Sequence, residues 1–177
     1  RELLADGMRP NAAHLALARL ERESALPVLV VTQNVDNLHE RAGTQKLLHM
    51  HGELLKARCN ACRGVMQWEE DLTRQDSCPK CQSAGKLRPH IVWFEEMPLY
   101  MDEIERALGQ CRIFASIGTS GNVYPAAGFS RAARQSGAHL VELNLEPSLV
   151  AGVFHEGRYG KAGEVVPAWV EEILAGQ

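Results

Sequence analysis

The pattern of apolar and polar positions in the first fifty residues predicts helices and strands in turn. Asn11 is a suitable helix N-cap, and apolar side chains follow it at helical spacing. The run Pro27–Val31 is apolar throughout, which is typical of a strand that is buried on both faces in a parallel sheet. A short helix ending near Gly43 and a strand over Lys46–Met50 follow, whereas Arg1–Leu4 resembles the inside or end of a helix.

The second half of the chain continues the same alternation. Its predicted elements are a strand at Leu87–Phe94, a helix that begins with Asp102 and Glu103, a strand at Ile113–Ile117, a helix from Pro125 to about Gln135, a strand at Ala138–Leu143 and a final helix at Val165–Leu174. Strands that alternate with helices indicate an α/β fold. We therefore predict a Rossmann-like parallel sheet with helices on both faces.

Two cysteine pairs interrupt this pattern in a charged stretch with little periodicity. They are Cys59 and Cys62, then Cys78 and Cys81. Two such pairs complete a tetrahedral sulfur site that suits zinc and leaves no position open for substrate. The alternative is a set of unrelated surface thiols. We predict a structural zinc ribbon at residues 56–84, inserted into a Rossmann-like domain formed by residues 1–55 and 85–177.

Composition excludes several classes of function. The 177 residues carry a net charge of -3 with mixed signs, which argues against a nucleic-acid binder. No apolar run approaches the roughly 20 residues of a membrane span. An odd count of five cysteines, four of them in paired spacing, suits a reducing compartment, so we predict a cytoplasmic protein in which Cys111 is a buried core thiol. Because the sequence opens at Arg1, we expect it to start within a longer protein.

Small and polar residues follow two of the predicted strands. Gly118, Thr119 and Ser120 lie between a strand and a helix, where backbone N–H groups can approach a phosphate. An ordinary tight turn is the alternative. Asn144 and Glu146 follow the next strand, where a ribose is commonly held. Together the two features favour a nucleotide site.

Two histidines and a polar turn supply further candidates. His49 and His51 are spaced to lie on the same side of a strand, and His51 precedes a glycine and could act as a general base. A structural role is the alternative for either histidine. The polar residues after the first strand fit ribose and amide recognition, or simple turn formation; they are Gln33, Asn34 and Asp36. Ile91–Phe94 is either a core strand or an edge that pairs with a peptide.

Together these segments resemble the sirtuins, which are NAD-dependent protein-lysine deacylases. The matching segments are Thr32–Gly43, His49–Gly52, the two cysteine pairs, Gly118–Ser120 and Asn144–Glu146. Two others, Leu87–Phe94 and Gly121–Gly128, resemble the bacterial class III branch, which removes succinyl as well as acetyl groups.

The resemblance implies an enzyme that consumes NAD and has one structural zinc. The acyl oxygen of the modified lysine attacks the nicotinamide ribose, and the products are nicotinamide, 2′-O-acyl-ADP-ribose and free lysine. His51 would be the catalytic base. By resemblance the cofactor-binding residues are Gln33, Asn34, Asp36, Gly118, Thr119, Ser120, Asn144, Glu146 and Ala162, of which the last matches a small position near the adenine. Val92, Trp93 and Phe94 would pair with the substrate peptide.

Three departures from the family accompany the resemblance. The family's opening Gly-Ala-Gly-x-Ser segment, with its strand and phosphate loop, and the Tyr-x-x-Arg that recognises acidic acyl groups are not in the sequence. We therefore expect little or no activity from this chain alone, and the sequence leaves the acyl preference open. Thirdly, Glu95 replaces the glycine of the usual Phe-Gly-Glu.

The expected substrates are acyl-lysine proteins or peptides. We predict a monomer that binds neither nucleic acid nor a membrane. Two alternatives stay open at this point. One is a non-catalytic zinc-ribbon interaction fragment, and the other is an NAD-dependent protein ADP-ribosyltransferase.

Overall fold

A computed structural model describes residues 7–176, so the helix predicted at Arg1–Leu4 lies outside the described residues. The elements, in chain order, are α1 Ala12–Glu23, β1 Val30–Thr32, α2 Leu38–Ala42, β2 Leu47–His49, β3 Gly52–Cys59, β4 Val65–Gln67, β5 Leu87–Ile91, α3 Met101–Leu108, β6 Ile113–Ile117, α4 Phe129–Gln135, β7 His139–Asn144, β8 Glu156–Tyr159 and α5 Ala162–Ala175. Short 3₁₀ turns at Ala126–Gly128 and Ala151–Val153 precede α4 and β8.

The described residues divide into two compact units. The cysteine unit contains residues 7–8, 31–37 and 49–99, and the parallel-sheet unit contains residues 9–30, 38–48 and 100–176. β1 and β2 pair as a two-stranded sheet. The predicted boundaries of the zinc module at residues 56–84 stay a prediction.

The cysteine unit is organised around one antiparallel sheet with the order β4-β3-β5. Lys56 pairs with Gln67 on one side of β3, and Cys59 pairs with Leu87 on the other. The register between β3 and β5 shifts between Glu53 and Ala57. A bulge of this kind bends the strand, so the two ends of β3 point in different directions. One end follows the histidines, and the other carries the first cysteine.

The parallel-sheet unit contains β6, β7 and β8 in that order, all parallel, which confirms the predicted α/β class. Val141 and Leu143 of β7 pack with α1 and α5 in the main core. Leu140 and Glu142 alternate with them and are also buried. Since successive strand residues face opposite sides, β7 is covered on both faces.

Local signals explain where α1 and α4 begin. The Asn11 side chain accepts hydrogen bonds from the N–H groups of Ala13 and His14, as predicted for an N-cap, and His14 completes a capping box. The predicted helix from Pro125 is instead a cis Tyr124–Pro125 peptide, a 3₁₀ turn and then α4. α4 therefore starts only at Phe129, and residues 118–125 form a loop after β6.

Burial of the predicted strands differs from expectation in two places. The strand predicted at Pro27–Val31 is observed only at Val30–Thr32, and Leu29 is 37% exposed. Ile113 at the start of β6 is 42% exposed. Within the described residues, β6 pairs only with β7 and β1 pairs only with β2. An edge strand has a paired neighbour on one side only, which is consistent with the exposure of Ile113 in β6.

Candidate functional site

The four paired cysteines meet at the open end of the antiparallel sheet. Cys59 ends β3, and its carbonyl accepts the N–H of Arg63, which has a φ of 58°. The second pair repeats this turn, because the Cys78 carbonyl accepts the N–H of Gln82, which has a φ of 60°. Two matching turns therefore direct four sulfur atoms toward one point.

The sulfur geometry fits a tetrahedral metal ion. The Cys59 and Cys81 sulfurs are 3.7 Å apart, and the Cys62 and Cys78 sulfurs are 3.8 Å apart. A tetrahedron with Zn–S bonds of about 2.3 Å has S···S edges of about 3.8 Å. All four sulfur atoms lie within 4.8 Å of one another.

The thiols of this cluster influence one another's charge. Hydrogen bonds from Ser83 lower the pKa of Cys81 to about 6, whereas, despite the Gly64 N–H, burial and hydrogen bonds with the neighbouring thiols raise the pKa of Cys62 to about 11. Four sulfur ligands close the coordination sphere, which marks a structural site. The fifth cysteine, Cys111, lies elsewhere, where its thiol donates to the Leu108 carbonyl and burial raises its pKa.

Both candidate histidines contact the polar segment that follows β1. The Nδ1 atom of His51 lies 3.0 Å from the carbonyl oxygen of Gln33, and Nδ1 of His49 lies 3.3 Å from the carbonyl oxygen of Asn34. The expectation that both histidines lie on one side of a strand is wrong, because β2 ends at His49. The two rings converge on one segment because a turn at Met50–His51 redirects the chain.

Gly52 is required immediately after His51. Its φ is +84°, and an added Cβ would lie 2.0 Å from the carbonyl oxygen of His90. The His51 carbonyl in turn accepts the N–H of Val92 at 2.9 Å. The close approach of Gly52 to β5 and the hydrogen bond at the His51 carbonyl therefore fix the position of the His51 backbone.

Gln33, Asn34 and Asp36 accompany His51 within the cysteine unit. The Asn34 N–H donates to the Thr32 hydroxyl at 3.1 Å, and the Val35 carbonyl accepts the N–H of Leu54. These bonds hold the backbone of the segment, whereas the side chain of Asn34 is exposed. The structure thus places Gln33, Asn34 and Asp36 on one segment, and the Gln33 carbonyl of this segment contacts the His51 imidazole.

A cavity of about 280 Å³ lies in the parallel-sheet unit, where β6 and β7 end. Five predicted residues line it, namely Gly118, Thr119, Ser120, Asn144 and Glu146. Gly118 has a φ of +61°, and the Asn144 side-chain amide donates to the Thr119 carbonyl at 2.9 Å. Ligands bind at the carboxyl ends of parallel strands in such folds. Ala162 is the first residue of α5 and is not in the cavity wall.

The sequence did not identify Glu142, which holds a residue of the cavity wall by a hydrogen bond. This carboxylate is only 1% exposed, and it accepts hydrogen bonds from the Ser148 N–H at 3.3 Å and the Tyr159 hydroxyl at 2.9 Å. Ser148 lies in the cavity wall. The available signal was a single charged residue inside the apolar strand β7, since buried carboxylates need such partners.

The third predicted group, Val92–Phe94, forms a loop after β5 and not a continuation of the strand. Trp93 is 59% exposed and Phe94 is completely exposed. Glu96 accepts hydrogen bonds from the Trp93 N–H and from both Nη atoms of Arg88. The loop is therefore held by hydrogen bonds and exposes two aromatic side chains to solvent.

Comparison with known proteins agrees with this geometry. Residues 1–125 match the Sir2 family. The chain belongs to the Sir2 family. It is 58% identical to an NAD-dependent protein deacylase of Vibrio cholerae, over all of this chain and 72% of that protein. The predictions of a sirtuin and of an NAD-dependent deacylase enzyme are thereby confirmed.

Solved sirtuin structures support the fold and the cofactors. A complex of a Sir2 homologue with NAD is 34% identical, with a TM-score of 0.85 over 96% of this chain and 67% of that one. Sir2Af2 bound to a myristoylated histone peptide is 34% identical, with a TM-score of 0.77 over 93% of this chain and 72% of that one. The NAD complex of that Sir2 homologue supports NAD as the cofactor, and the four clustered cysteines support a structural zinc. No helix in residues 7–176 is long and apolar enough to cross a membrane.

Proposed function

We propose that this sirtuin removes acyl groups from protein lysines with His51 as the general base. The observation that carries the proposal is the contact between Nδ1 of His51 and the carbonyl oxygen of Gln33. A carbonyl only accepts, so Nδ1 carries the proton and Nε2 keeps its lone pair. The half-buried ring is thereby held as the tautomer that can take a proton at Nε2 from a ribose hydroxyl.

NAD, when bound, supplies the ribose carbon that accepts the acyl oxygen. In this chain the cavity at β6 and β7 fits one part of the dinucleotide, with backbone groups of Gly118–Ser120 near a phosphate and Asn144 and Glu146 near a ribose. We assign the nicotinamide end to the segment beside His51. Gln33, Asn34 and Asp36 carry the amide and carboxylate groups that bind a carboxamide and a ribose. For Ala162, a place near the adenine stays a proposal.

The peptide is the second substrate. Val92–Phe94 directly follows a strand, and an extended peptide can add to such an edge through main-chain hydrogen bonds. A bound peptide would cover the exposed rings of Trp93 and Phe94 and remove their apolar surface from water. The solved Sir2Af2 complex holds an acylated histone peptide, which supports acyl-lysine substrates for this sirtuin. We propose acetyl and succinyl groups as the acyl classes.

The test is mass spectrometry of acetyl-lysine and succinyl-lysine peptides incubated with the protein and NAD. With the family's opening Gly-Ala-Gly-x-Ser segment placed before this chain, we expect loss of the acyl mass together with release of nicotinamide, and little or no turnover by the chain alone. His51→Ala should lower kcat by a factor of about 10²–10⁴, which is the usual contribution of a general base. The matched control is His139→Ala, which removes an exposed imidazole in the other unit.

Two results would contradict the proposal. Equal turnover by His51→Ala and the parent protein would remove His51 from the chemistry. A mass gain of ADP-ribose on the peptide, without loss of the acyl group, would favour the ADP-ribosyltransferase alternative. Binding of NAD should persist in His51→Ala, which separates a catalytic defect from a misfolded protein.

The proposal also covers the cellular compartment and the oligomeric state. We propose a cytoplasmic monomer that acts without nucleic acid or a membrane. Five free cysteines, of which four are in paired spacing, suit a reducing compartment. Sedimentation of the purified protein measures the oligomeric state directly.

A further inference from the structure

Glu95 adopts a backbone conformation that glycine favours. Its φ is +73°, in the left-handed region that a glutamate rarely occupies. The corresponding position in the sequence pattern of the family is the glycine of Phe-Gly-Glu, which would adopt this φ freely. A glutamate that persists at a disfavoured φ in an exposed loop points to a role for its side chain.

The other three residues with positive φ outside glycine have evident structural roles among the described residues. Arg63 and Gln82 occupy equivalent places in the two cysteine turns, and Tyr100 precedes α3 as its N-cap. Glu95 lies in no metal turn and caps no helix. Its side chain makes no hydrogen bond or ion pair in the part of the chain that the structure describes.

Two arginines compensate the charge of Glu96, whereas the charge of Glu95 is uncompensated among the described residues. Arg88 and Arg58 approach Glu96 to 2.5 Å and 3.7 Å, and their side chains are only 21% and 25% exposed. Hydrogen bonds from Arg88 lower the pKa of Glu96 to about 2, which reflects how strongly that charge is compensated. Glu95 is exposed and has no such partner among residues 7–176.

The loop around Glu95 is ordered by several bonds at once. Besides its pair with Glu96, Arg88 donates to the Ile91 carbonyl at 2.9 Å and lies 5.4 Å from the ring centroid of Trp93. Glu96 also accepts the Trp93 N–H at 3.0 Å. Three neighbouring features, the exposed aromatic rings of Trp93 and Phe94 and the carboxylate of Glu95, therefore form a preorganised surface.

We propose that Glu95 makes this sirtuin prefer basic peptides, by pairing with a lysine or arginine that lies next to the acyl-lysine. The proposal rests on the proposed peptide role of Val92–Phe94. Charge complementarity supports it, since an unpaired carboxylate attracts a cation and repels an acidic neighbour. The exposed rings of Trp93 and Phe94 can also contact a cationic side chain through their faces.

The experiment compares acyl-lysine peptides that differ only in one flanking residue, which is arginine, glutamine or glutamate. Both kcat/KM and the binding affinity, by fluorescence anisotropy, are measured for each peptide. An exposed ion pair corresponds to a factor of about two to five, so we expect at least this preference for arginine over glutamine. The preference should shrink in high salt.

Three substitutions at the same position separate charge from size. Glu95→Gln keeps the size and should abolish the preference, Glu95→Lys should reverse it, and Glu95→Gly tests the unhindered loop. Glu70→Gln is the matched control, because Glu70 is an exposed glutamate in the same unit.

Each result decides between the two proposals. An unchanged preference in Glu95→Gln, or no preference in the parent protein, would overturn the role of Glu95 while deacylation stands. A preference changed only by Glu95→Gly would assign the effect to size and would also overturn it. If no peptide is deacylated even with the family's opening Gly-Ala-Gly-x-Ser segment placed before this chain, the proposed function fails, and the anisotropy measurements still decide whether Glu95 selects basic peptides.

Discussion

Gly52 shows how a single residue positions the proposed base. It follows His51 with a φ of +84°, and its missing side chain lets the backbone approach the His90 carbonyl. No rotamer can relieve a contact between a Cβ and backbone. A side chain at this position must therefore move either the His51 turn or β5.

Gly52→Ala tests this constraint at the residue scale. We expect a loss of about 2 kcal/mol or more in the free energy of unfolding, because a disfavoured φ and a backbone clash combine. Deacylation should fall further than NAD binding, since the His51 turn moves. Urea unfolding and steady-state kinetics measure the two effects.

The control for this prediction is Gly152→Ala. Gly152 has an ordinary φ, and an added Cβ would meet nothing within 4 Å. We expect a change in stability within about 0.5 kcal/mol. Equal stability losses in both variants would contradict the special role of Gly52.

At the scale of one element, the loop after β5 depends on the bidentate pair between Arg88 and Glu96. Arg88→Ala should speed hydrogen exchange in residues 92–97, because Glu96 then loses its main partner and the Trp93 N–H loses a fixed acceptor. KM for the peptide should rise more than KM for NAD. Arg74→Ala removes an exposed arginine from the same unit and should change neither value.

The same pair sets how the loop responds to acid. Hydrogen bonds from Arg88 lower the pKa of Glu96 to about 2 from its ordinary value of 4.5. A lowered carboxyl pKa contributes stability above the ordinary value, and this contribution is lost as the pH falls from about 4.5 to about 2. Exchange in residues 92–97 should therefore be slow at neutral pH. The protection of residues 92–97 from exchange should disappear only in strong acid.

The sequence predicted some elements well because their signals are local. Helix α1 has an N-cap and an apolar face, and β7 is a short apolar run. β3 was missed because its bulge breaks the alternation of apolar and polar residues, and β8 reads Glu-Gly-Arg-Tyr with little apolar character. β3 pairs with β5 across the stretch that holds the cysteines, and β8 pairs with β7, and no local pattern records such pairing.

The site divides in the same way. The cysteine spacing alone predicted the metal cluster, and the resemblance to sirtuins supplied His51 and the nucleotide residues. The links among Arg88, Glu96 and Trp93, and the support of Ser148 by Glu142, join side chains to positions brought close by folding. Neither could be found from periodicity or from short motifs.

At the scale of the whole molecule, the two units differ in what stabilises them. The parallel-sheet unit has an extensive apolar core between β7, α1 and α5. In the described part of the cysteine unit, the buried apolar residues are Met50, Ala57, Cys59 and Cys78. Two of these four are proposed metal ligands. Zinc therefore replaces the core that this unit is too small to form.

Removal of zinc should consequently affect the two units unequally. We expect a chelator to abolish protection from hydrogen exchange in residues 52–91 while α5 and β7 stay protected. Binding of ADP-ribose at the cavity should persist, because the residues that line it belong to the parallel-sheet unit. Deacylation should cease, because His51 belongs to the unit that unfolds. Cys59→Ser should reproduce these effects, and Cys111→Ser, outside the sulfur cluster, should retain one zinc per chain by elemental analysis. Simultaneous loss of protection in both units would instead mean that the zinc site stabilises the molecule as one cooperative whole.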